Sequence, residues 1–352
     1  MQHATPPTTT TDKTIKCSRS VGLDVIRCVA ILFVIGCHFF INTDFNKTLF
    51  NSPSMFVQGM LQTLTMTNVP LFLMLTGYLN LNKRINRKYY KNGFRVIVSY
   101  LIISIITILV RRYGFHETDN SWIQWILKIT DFSAIPYGWY IEMWIGLFLL
   151  TPFLNILWKN IETRRHKHIL LLTLYLLCAL PDCFNRYGVH LVPGYWEVIY
   201  PVAFFYFGAY IREYQPKINK LYLGAGILLC CLINPIFNVA IGRAHATMIH
   251  LIGDGNGIIC MPLTVLVFLL CYNLNFSFGN KALASISRLS LDMYLFSYIF
   301  DIIIYRWFRQ HVISNQDEFG YYYLIIVGCI FLASYLAAYL KTAVCKLLHI
   351  PT

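Results

Sequence analysis

Long apolar runs separated by short polar loops cover most of the chain from residue 20 onward. A helix needs about 20 mostly apolar residues to cross a bilayer. Runs of about this length predict ten spans, at 21–42, 55–80, 93–113, 137–158, 168–183, 195–213, 220–241, 255–274, 283–308 and 321–347. The pattern therefore predicts an all-α, polytopic integral membrane protein with about ten transmembrane helices. Pro70 and Gly77 interrupt the second run, so we expect that helix to be broken or kinked near its middle.

The distribution of basic residues predicts an orientation for these spans. Ten spans place both chain ends on one side, and that side receives twenty of the 29 lysines and arginines, against eight on the other, with Arg27 inside the first span. Loops rich in lysine and arginine face the cytoplasm, which predicts an N-in/C-in topology. In this topology the longest outer loop contains SWIQWILKI (121–129), which predicts a short interfacial helix.

Composition agrees with a single membrane-embedded unit. Hydrophobic residues make up 57% of the 352 positions and charged residues only 13%, whereas soluble proteins carry roughly 25% charged residues. Residues 1–19 are polar and rich in Thr and Pro, which predicts a disordered cytoplasmic tail. We assign 20–349 to one membrane domain. The net charge of +13 lies in short loops rather than in a basic stripe, which argues against nucleic-acid binding.

One stretch, RCVAILFVIGCH, carries an arginine and a histidine at the two ends of an apolar helix. At 100° per residue, Arg27 and His38 share a face, about 16.5 Å apart along the axis, and Asp24 lies one turn earlier. Ionisable groups inside a span usually face a protein interior or a water-filled cavity. The alternative is that Arg27 reaches the cytoplasmic headgroups and His38 lies at the outer interface, and the spacing leaves both open.

Four motifs in order extend this observation over most of the chain: GLDVIRCVAILFVIGCH, NVPLFLMLTGYL, YGWYIEMWIGLFLLTPFLN and ISRLSLDMYLFSYIF. Together they resemble the integral-membrane acyltransferase-3 family, and within it the surface-polysaccharide O-acetyltransferase branch. Two positions depart from the family pattern. Ser297 stands where many relatives have a late His, and the family's Arg-x-x-Arg has Asn92 at its first position and Arg95 at its second.

The resemblance implies transfer of an acyl group, expected to be acetyl, from cytoplasmic acyl-CoA to a hydroxyl of a cell-surface or exported glycan or glycan-lipid. It implies that His38 is the catalytic base, removing the proton of the acceptor hydroxyl. Arg27 and Arg95 would hold the CoA phosphates, and Asp24 would support catalysis by orienting Arg27.

Two further residues are candidates for donor or substrate binding. Thr76 keeps the hydroxyl of the family's usual Ser, and Glu142 is an acid inside the fourth predicted span. For Thr76 and Gly77 the alternative is structural, with a hydroxyl bonded to its own backbone and a glycine that packs helices. We expect acetyl-CoA as donor substrate, no permanently bound cofactor, no metal site and a multi-pass location in a bacterial inner membrane.

Two other functions are compatible with intramembrane charges and a broken helix. One is a transporter or flippase for a glycan precursor. The other is a polysaccharide-synthase component without chemistry of its own. The two halves of the chain show no inverted repeat by eye, which weakens the transporter hypothesis slightly.

Overall fold

The computed structural model describes residues 20–117, 119–185, 190–240, 257–274 and 279–350, and the predicted disordered tail lies outside these ranges. The described chain is helical and contains no strand. Its helices are α1 (Val21–Asn42), α2 (Pro53–Thr65), α3 (Asn68–Asn80), α4 (Arg87–Leu109), α5 (Trp122–Thr130), α6 (Trp139–Asn160), α7 (Arg164–Phe184), α8 (Tyr200–Tyr214), α9 (Lys220–Ala240), α10 (Cys260–Tyr272), α11 (Asn280–His311) and α12 (Gln316–Leu347).

Six helical segments of the described chain are long and apolar enough to cross a membrane. They are Val21–Asn42, Arg87–Gly114, Pro136–Asn160, Arg164–Phe184, Lys220–Ala240 and Gln316–Leu347. The prediction of an all-α membrane protein is confirmed. Each of the ten predicted runs overlaps a helix, and the second overlaps two. Helices α3, α8 and α10 have only 13 to 15 residues each, so the number of ten spans and the N-in/C-in topology stay predictions.

The second predicted span is broken near its middle, as expected, at Met66 and Thr67 between α2 and α3. Pro70 lies in the first turn of α3, and its missing N–H is the one that would have bonded to the carbonyl of Met66 in a continuous helix. The Thr67 hydroxyl donates to the carbonyl of Leu64 at 2.8 Å. Side-chain hydroxyls of this kind satisfy the backbone groups that a broken membrane helix leaves without partners.

Gly77 is instead a packing residue between α3 and α8. A Cβ atom added at Gly77 would lie 1.8 Å from the carbonyl oxygen of Phe205, and one at Gly208 would lie 1.9 Å from that of Met74. Small residues let two membrane helices approach closely. The structural alternative considered for Gly77 is therefore the observed one.

Helix α1 lies in the middle of the described helices and packs against α2, α3, α10, α11 and α12. Its face with Arg27 and His38 is consequently enclosed by protein rather than by lipid. The short helix predicted in the outer loop forms as α5, with a capping box between Ser121 and Gln124 and with Trp125 buried. The guanidinium of Arg111 lies 4.8 Å from the centre of the Trp125 ring.

A buried ion pair ties α12 to α11 and α4. Lys341 Nζ lies 2.9 Å from Asp292 Oδ2, and the other carboxylate oxygen accepts from the hydroxyl of Ser99 at 2.6 Å. Lys341 also contacts the Ser99 hydroxyl. All three residues are buried, so Asp292 has the structural role of a paired intramembrane acid.

Candidate functional site

His38 lies in the second half of α1 beside an acid from α11. Its side chain is almost completely enclosed, and Nδ1 lies 3.4 Å from Oδ2 of Asp301, which is fully buried. The phenol of Tyr137 donates to the same carboxylate oxygen at 2.7 Å. The Tyr137 ring also stacks on the imidazole, with ring centres 3.6 Å apart and an interplanar angle of 24°.

A set of hydrogen bonds fixes the Tyr137 ring and with it the imidazole. The side-chain amide of Asn42, one turn after His38, donates to the His38 carbonyl at 2.9 Å and to the Tyr137 hydroxyl at 3.2 Å. From α11, the hydroxyl of Tyr294 donates to the Tyr137 carbonyl. Because backbone and side chain of Tyr137 are both held, His38 and Asp301 have little freedom to separate.

The pair retains unused hydrogen-bonding capacity. His38 Nδ1 and Asp301 Oδ1 are buried and have no hydrogen-bond partner among the described residues. The 3.4 Å separation is slightly longer than an ordinary N–H···O bond, and such bonds often tighten only when substrate binds. With Nδ1 facing Asp301, the nitrogen left to face a substrate is Nε2. This arrangement can keep a proton on Nδ1 and a lone pair on Nε2.

The His38 cavity, a space of about 300 Å³, adjoins this imidazole. Its lining is mostly apolar and aromatic: Val34, Cys37, His38, Ile41, Met66, Asn68, Val69, Pro70, Tyr137, Trp139, Tyr200 and Tyr294. Asn68, Val69 and Pro70 form the first turn of α3. The break between α2 and α3 therefore directs a helix N-terminus, which carries a partial positive charge, into the cavity that contains the histidine.

The Arg27 cavity, a second space of about 220 Å³, lies toward the start of α1. It is lined by Arg27, Val34, Val69, Phe72, Leu75, Thr76, Leu79, Asn80, Val96, Tyr140, Trp144, Ser290, Leu291 and Tyr294. Val34, Val69 and Tyr294 line both cavities. These three side chains thus separate two adjoining spaces, one containing the arginine and the other the histidine of the same helix.

The structure brings together several of the predicted site residues. Arg27 and Thr76 share one cavity, and His38 lines its neighbour. Arg27 donates to the hydroxyl of Ser287 at 3.3 Å. The Thr76 hydroxyl donates to the Phe72 carbonyl at 2.9 Å, as in the structural alternative, and Thr76 also lines the Arg27 cavity.

The other three predicted residues lie elsewhere. Asp24 is buried in the first turn of α1. Arg95 is exposed and lines a third cavity. Glu142 lies on the exposed side of α6, because Tyr140 and Ile141 occupy the buried side. Of the three cavities described, none has Asp24 or Glu142 in its lining.

Sequence reasoning assigned no role to Asp301, Tyr137 or Tyr294. The available signal was that an acid inside an apolar helix is costly and usually functional. Tyr294, Ser297 and Asp301 recur at helical spacing on one face of α11. Ser297, which replaces the late family His, donates to the Tyr294 carbonyl at 2.8 Å. Its hydroxyl is thus used within its own helix.

Comparison with known proteins gives one match. A model of the acyltransferase-3 family, described as an acyltransferase domain, covers residues 20–339, and no curated protein or solved structure matches the chain. The matched region includes all four motifs and both cavity-lining ends of α1. With its long apolar helices, this chain belongs to the acyltransferase-3 family and is a membrane transferase of acyl groups.

Proposed function

We propose that the protein transfers an acetyl group from acetyl-CoA to a hydroxyl of a cell-surface or exported glycan, as in the surface-polysaccharide O-acetyltransferase branch. The observation that carries the proposal is the His38–Asp301 pair, whose histidine lines a cavity directly adjoining that of Arg27. A base in one space and a cation in the next match a reaction between a neutral hydroxyl and an anionic thioester donor. The proposed location is a bacterial inner membrane.

In the proposed reaction, His38 Nε2 accepts the proton of the acceptor hydroxyl as its oxygen attacks the thioester carbonyl. The C–S bond then breaks, the acyl–oxygen bond remains, and the sulfur of CoA leaves with the electron pair and takes up the proton from the imidazolium. Asp301 faces Nδ1, so its negative charge stabilises the imidazolium that exists between the two proton transfers.

The negative charge that develops on the thioester oxygen also needs a partner. The first turn of α3 lines the His38 cavity, and preorganised dipoles aimed at a developing oxyanion are often the largest catalytic contribution. In our proposal the positive end of α3 and the side-chain amide of Asn68 serve this purpose. The broken helix is thereby part of the catalytic site.

The two cavities supply the two substrates in this proposal. The Arg27 cavity accommodates the arm of the donor, with Arg27 and Thr76 as its polar contacts. Asp24 acts indirectly through the position of Arg27, and Glu142, being exposed, takes no part. The aromatic side chains of Trp139 and Tyr200 line the His38 cavity. Ligand sites combine such apolar walls with a few polar groups, here for the acceptor sugar.

The test uses the full-length protein in nanodiscs with acetyl-CoA and measures release of free CoA thiol with and without a glycan-lipid extract. His38→Ala should lower the acceptor-dependent rate by about 100-fold or more, the usual contribution of a general base. His311→Ala is the matched control, because His311 is exposed at the end of α11 and lines none of the three cavities.

The same variants give a second readout in cells as ester-linked acetate on the surface glycan. Loss of acetate with normal glycan export in His38→Ala supports the proposal. Unchanged acetate combined with reduced export in a deletion strain would instead indicate a transporter. A His38→Ala protein that inserts normally and keeps full acetylation would contradict a catalytic role for the histidine.

A further inference from the structure

A third cavity, of about 390 Å³, is lined by cationic side chains from three helices. Arg95 comes from α4, Arg288 from α11 and Lys346 from α12. The remaining lining residues are Val96, Ser99, Ser285, Leu289, Leu291, Asp292, Tyr339 and Thr342. We refer to this space as the cationic cavity.

The positive charge of the cationic cavity is not neutralised by nearby acids. Asp292 is the one carboxylate in its lining, and that carboxylate is already paired with Lys341 at 2.9 Å. Within the described ranges, no carboxylate forms a salt bridge with any of the three cations. A cleft lined by charges of one sign with low-dielectric walls attracts the opposite charge, so this cleft fits a multiply charged anion.

The cationic cavity adjoins the Arg27 cavity, which in turn adjoins the His38 cavity. Val96 and Leu291 line both the cationic cavity and the Arg27 cavity, as Tyr294 lines both the Arg27 and His38 cavities. Helix α11 runs past all three. Arg288 and Asp301 on this helix are about 20 Å apart at 1.5 Å per residue, so a long, flexible molecule is needed to reach from one to the other.

We propose that the cationic cavity binds the phosphate-bearing nucleotide end of the acyl-CoA donor, which rests on the function proposed above. Coenzyme A has a 3′-phosphate and a diphosphate at one end, and its thioester lies at the end of a flexible arm. Arg95, Arg288 and Lys346 bind the phosphates. The arm passes through the Arg27 cavity, and the thioester reaches His38. Arg288 and Lys346 are new assignments, and Arg27 contacts the arm.

The binding test measures the affinity of adenosine 3′,5′-bisphosphate for the full-length protein in nanodiscs of zwitterionic phosphatidylcholine. This probe has no thiol and no acyl group, so its binding does not depend on acyl transfer. The double variant Arg288→Ala/Lys346→Ala should weaken binding about tenfold, because each of the two exposed and screened cations contributes about threefold. Lys281→Ala is the control, because Lys281 is exposed on the same helix but outside the cavity lining.

The kinetic test compares acetyl-CoA with S-acetylpantetheine, which lacks the nucleotide. In the double variant the KM for acetyl-CoA should rise about tenfold, and the advantage of acetyl-CoA over S-acetylpantetheine should shrink by the same factor. An unchanged preference for acetyl-CoA would overturn the assignment of Arg288 and Lys346. Both residues are exposed, and an unchanged melting temperature verifies folding.

The remaining outcomes separate this site from the proposed function and from lipid binding. If the protein binds adenosine 3′,5′-bisphosphate through these residues but transfers no acetyl group, the site stands and the proposed function fails. If acetyl transfer proceeds and both the double variant and Lys281→Ala bind adenosine 3′,5′-bisphosphate as the wild type does, the proposed function stands and the site fails. If the probe does not bind and the two cations instead hold anionic phosphatidylglycerol added to the nanodiscs, the cavity is a lipid site and the proposal is wrong.

Discussion

Replacing Asp301 with asparagine tests whether the acid acts through His38. The substitution keeps the size of the side chain, and the amide oxygen can still accept the hydrogen bond that the Tyr137 hydroxyl now donates at 2.7 Å. His38 Nδ1 lies 3.4 Å from this same oxygen position, and the NH₂ group takes the place of Oδ1, which has no hydrogen-bond partner among the described residues. The geometry of the site is kept, and the substitution removes the negative charge that stabilises the imidazolium.

The expected loss follows from the missing negative charge beside the imidazole. General-base catalysis contributes about 10²- to 10⁴-fold to the rate, so Asp301→Asn should lower kcat by a factor in this range. At 1.36 kcal/mol per tenfold, this corresponds to about 3 to 5 kcal/mol of transition-state stabilisation. Asp301 is fully buried, so solvent screening does not reduce the effect as it would at the surface.

The assay is acceptor-dependent CoA release in nanodiscs, measured for wild type, Asp301→Asn and Asp44→Asn. Asp44 is the matched control, since it is a half-exposed acid outside the linings of the three cavities, next to Lys47 and Arg309. KM for acetyl-CoA should change little, because Asp301 lies about 20 Å along α11 from Arg288 in the cationic cavity. An Asp301→Asn protein with normal melting temperature and a rate within about threefold of wild type would refute the assignment, because that loss is far below the contribution of a general base.

Three further predictions concern packing and topology. Gly77→Ala should lower the free energy of unfolding by about 3 kcal/mol, because the new Cβ would lie 1.8 Å from the Phe205 carbonyl oxygen. Gly146→Ala is the control: a Cβ there meets open space, so the free energy of unfolding, measured by thermal unfolding in detergent, should change by less than about 0.5 kcal/mol. Lys341→Met should lower the free energy of unfolding by about 3–5 kcal/mol, because it leaves Asp292 charged and buried without its partner. Adding Asp292→Asn should restore most of this stability, and an additive loss in the double variant would contradict the pairing. A reporter active only in the cytoplasm should be active at the C-terminus, and an inactive fusion would refute the N-in/C-in prediction.

The sequence was sufficient to predict the class of protein and to place Arg27 and His38 on one face of α1. Apolar runs of membrane length predict helices because an isolated chain segment in lipid must satisfy its own backbone hydrogen bonds. The eleven-residue separation of Arg27 and His38 places both on one side of a helix regardless of what surrounds it. Both residues line cavities in the structure, and the motifs around them led to the correct family.

The second predicted span shows how far local rules reach. Pro70 lies four residues after Met66 and cannot donate to the Met66 carbonyl, so the break at Met66 and Thr67 is the one that a proline at this position produces. Gly77 can also interrupt a helix, but it lies within α3 and packs against Phe205. Whether a helix bends at a given glycine depends on the neighbour that packs there, and the sequence of one helix does not contain that information.

The tertiary structure decided which acid serves the histidine. Helical periodicity places Asp301 on a face of α11, but it does not say which helix that face meets, because apolar faces of membrane helices are chemically alike. Asp24 was expected to orient Arg27, and no acid was assigned to His38 from the sequence, whereas the acid beside His38 comes from the far end of the chain. Only the packing of α1 against α11, with Tyr137 between them, brings base, acid and the three adjoining cavities together.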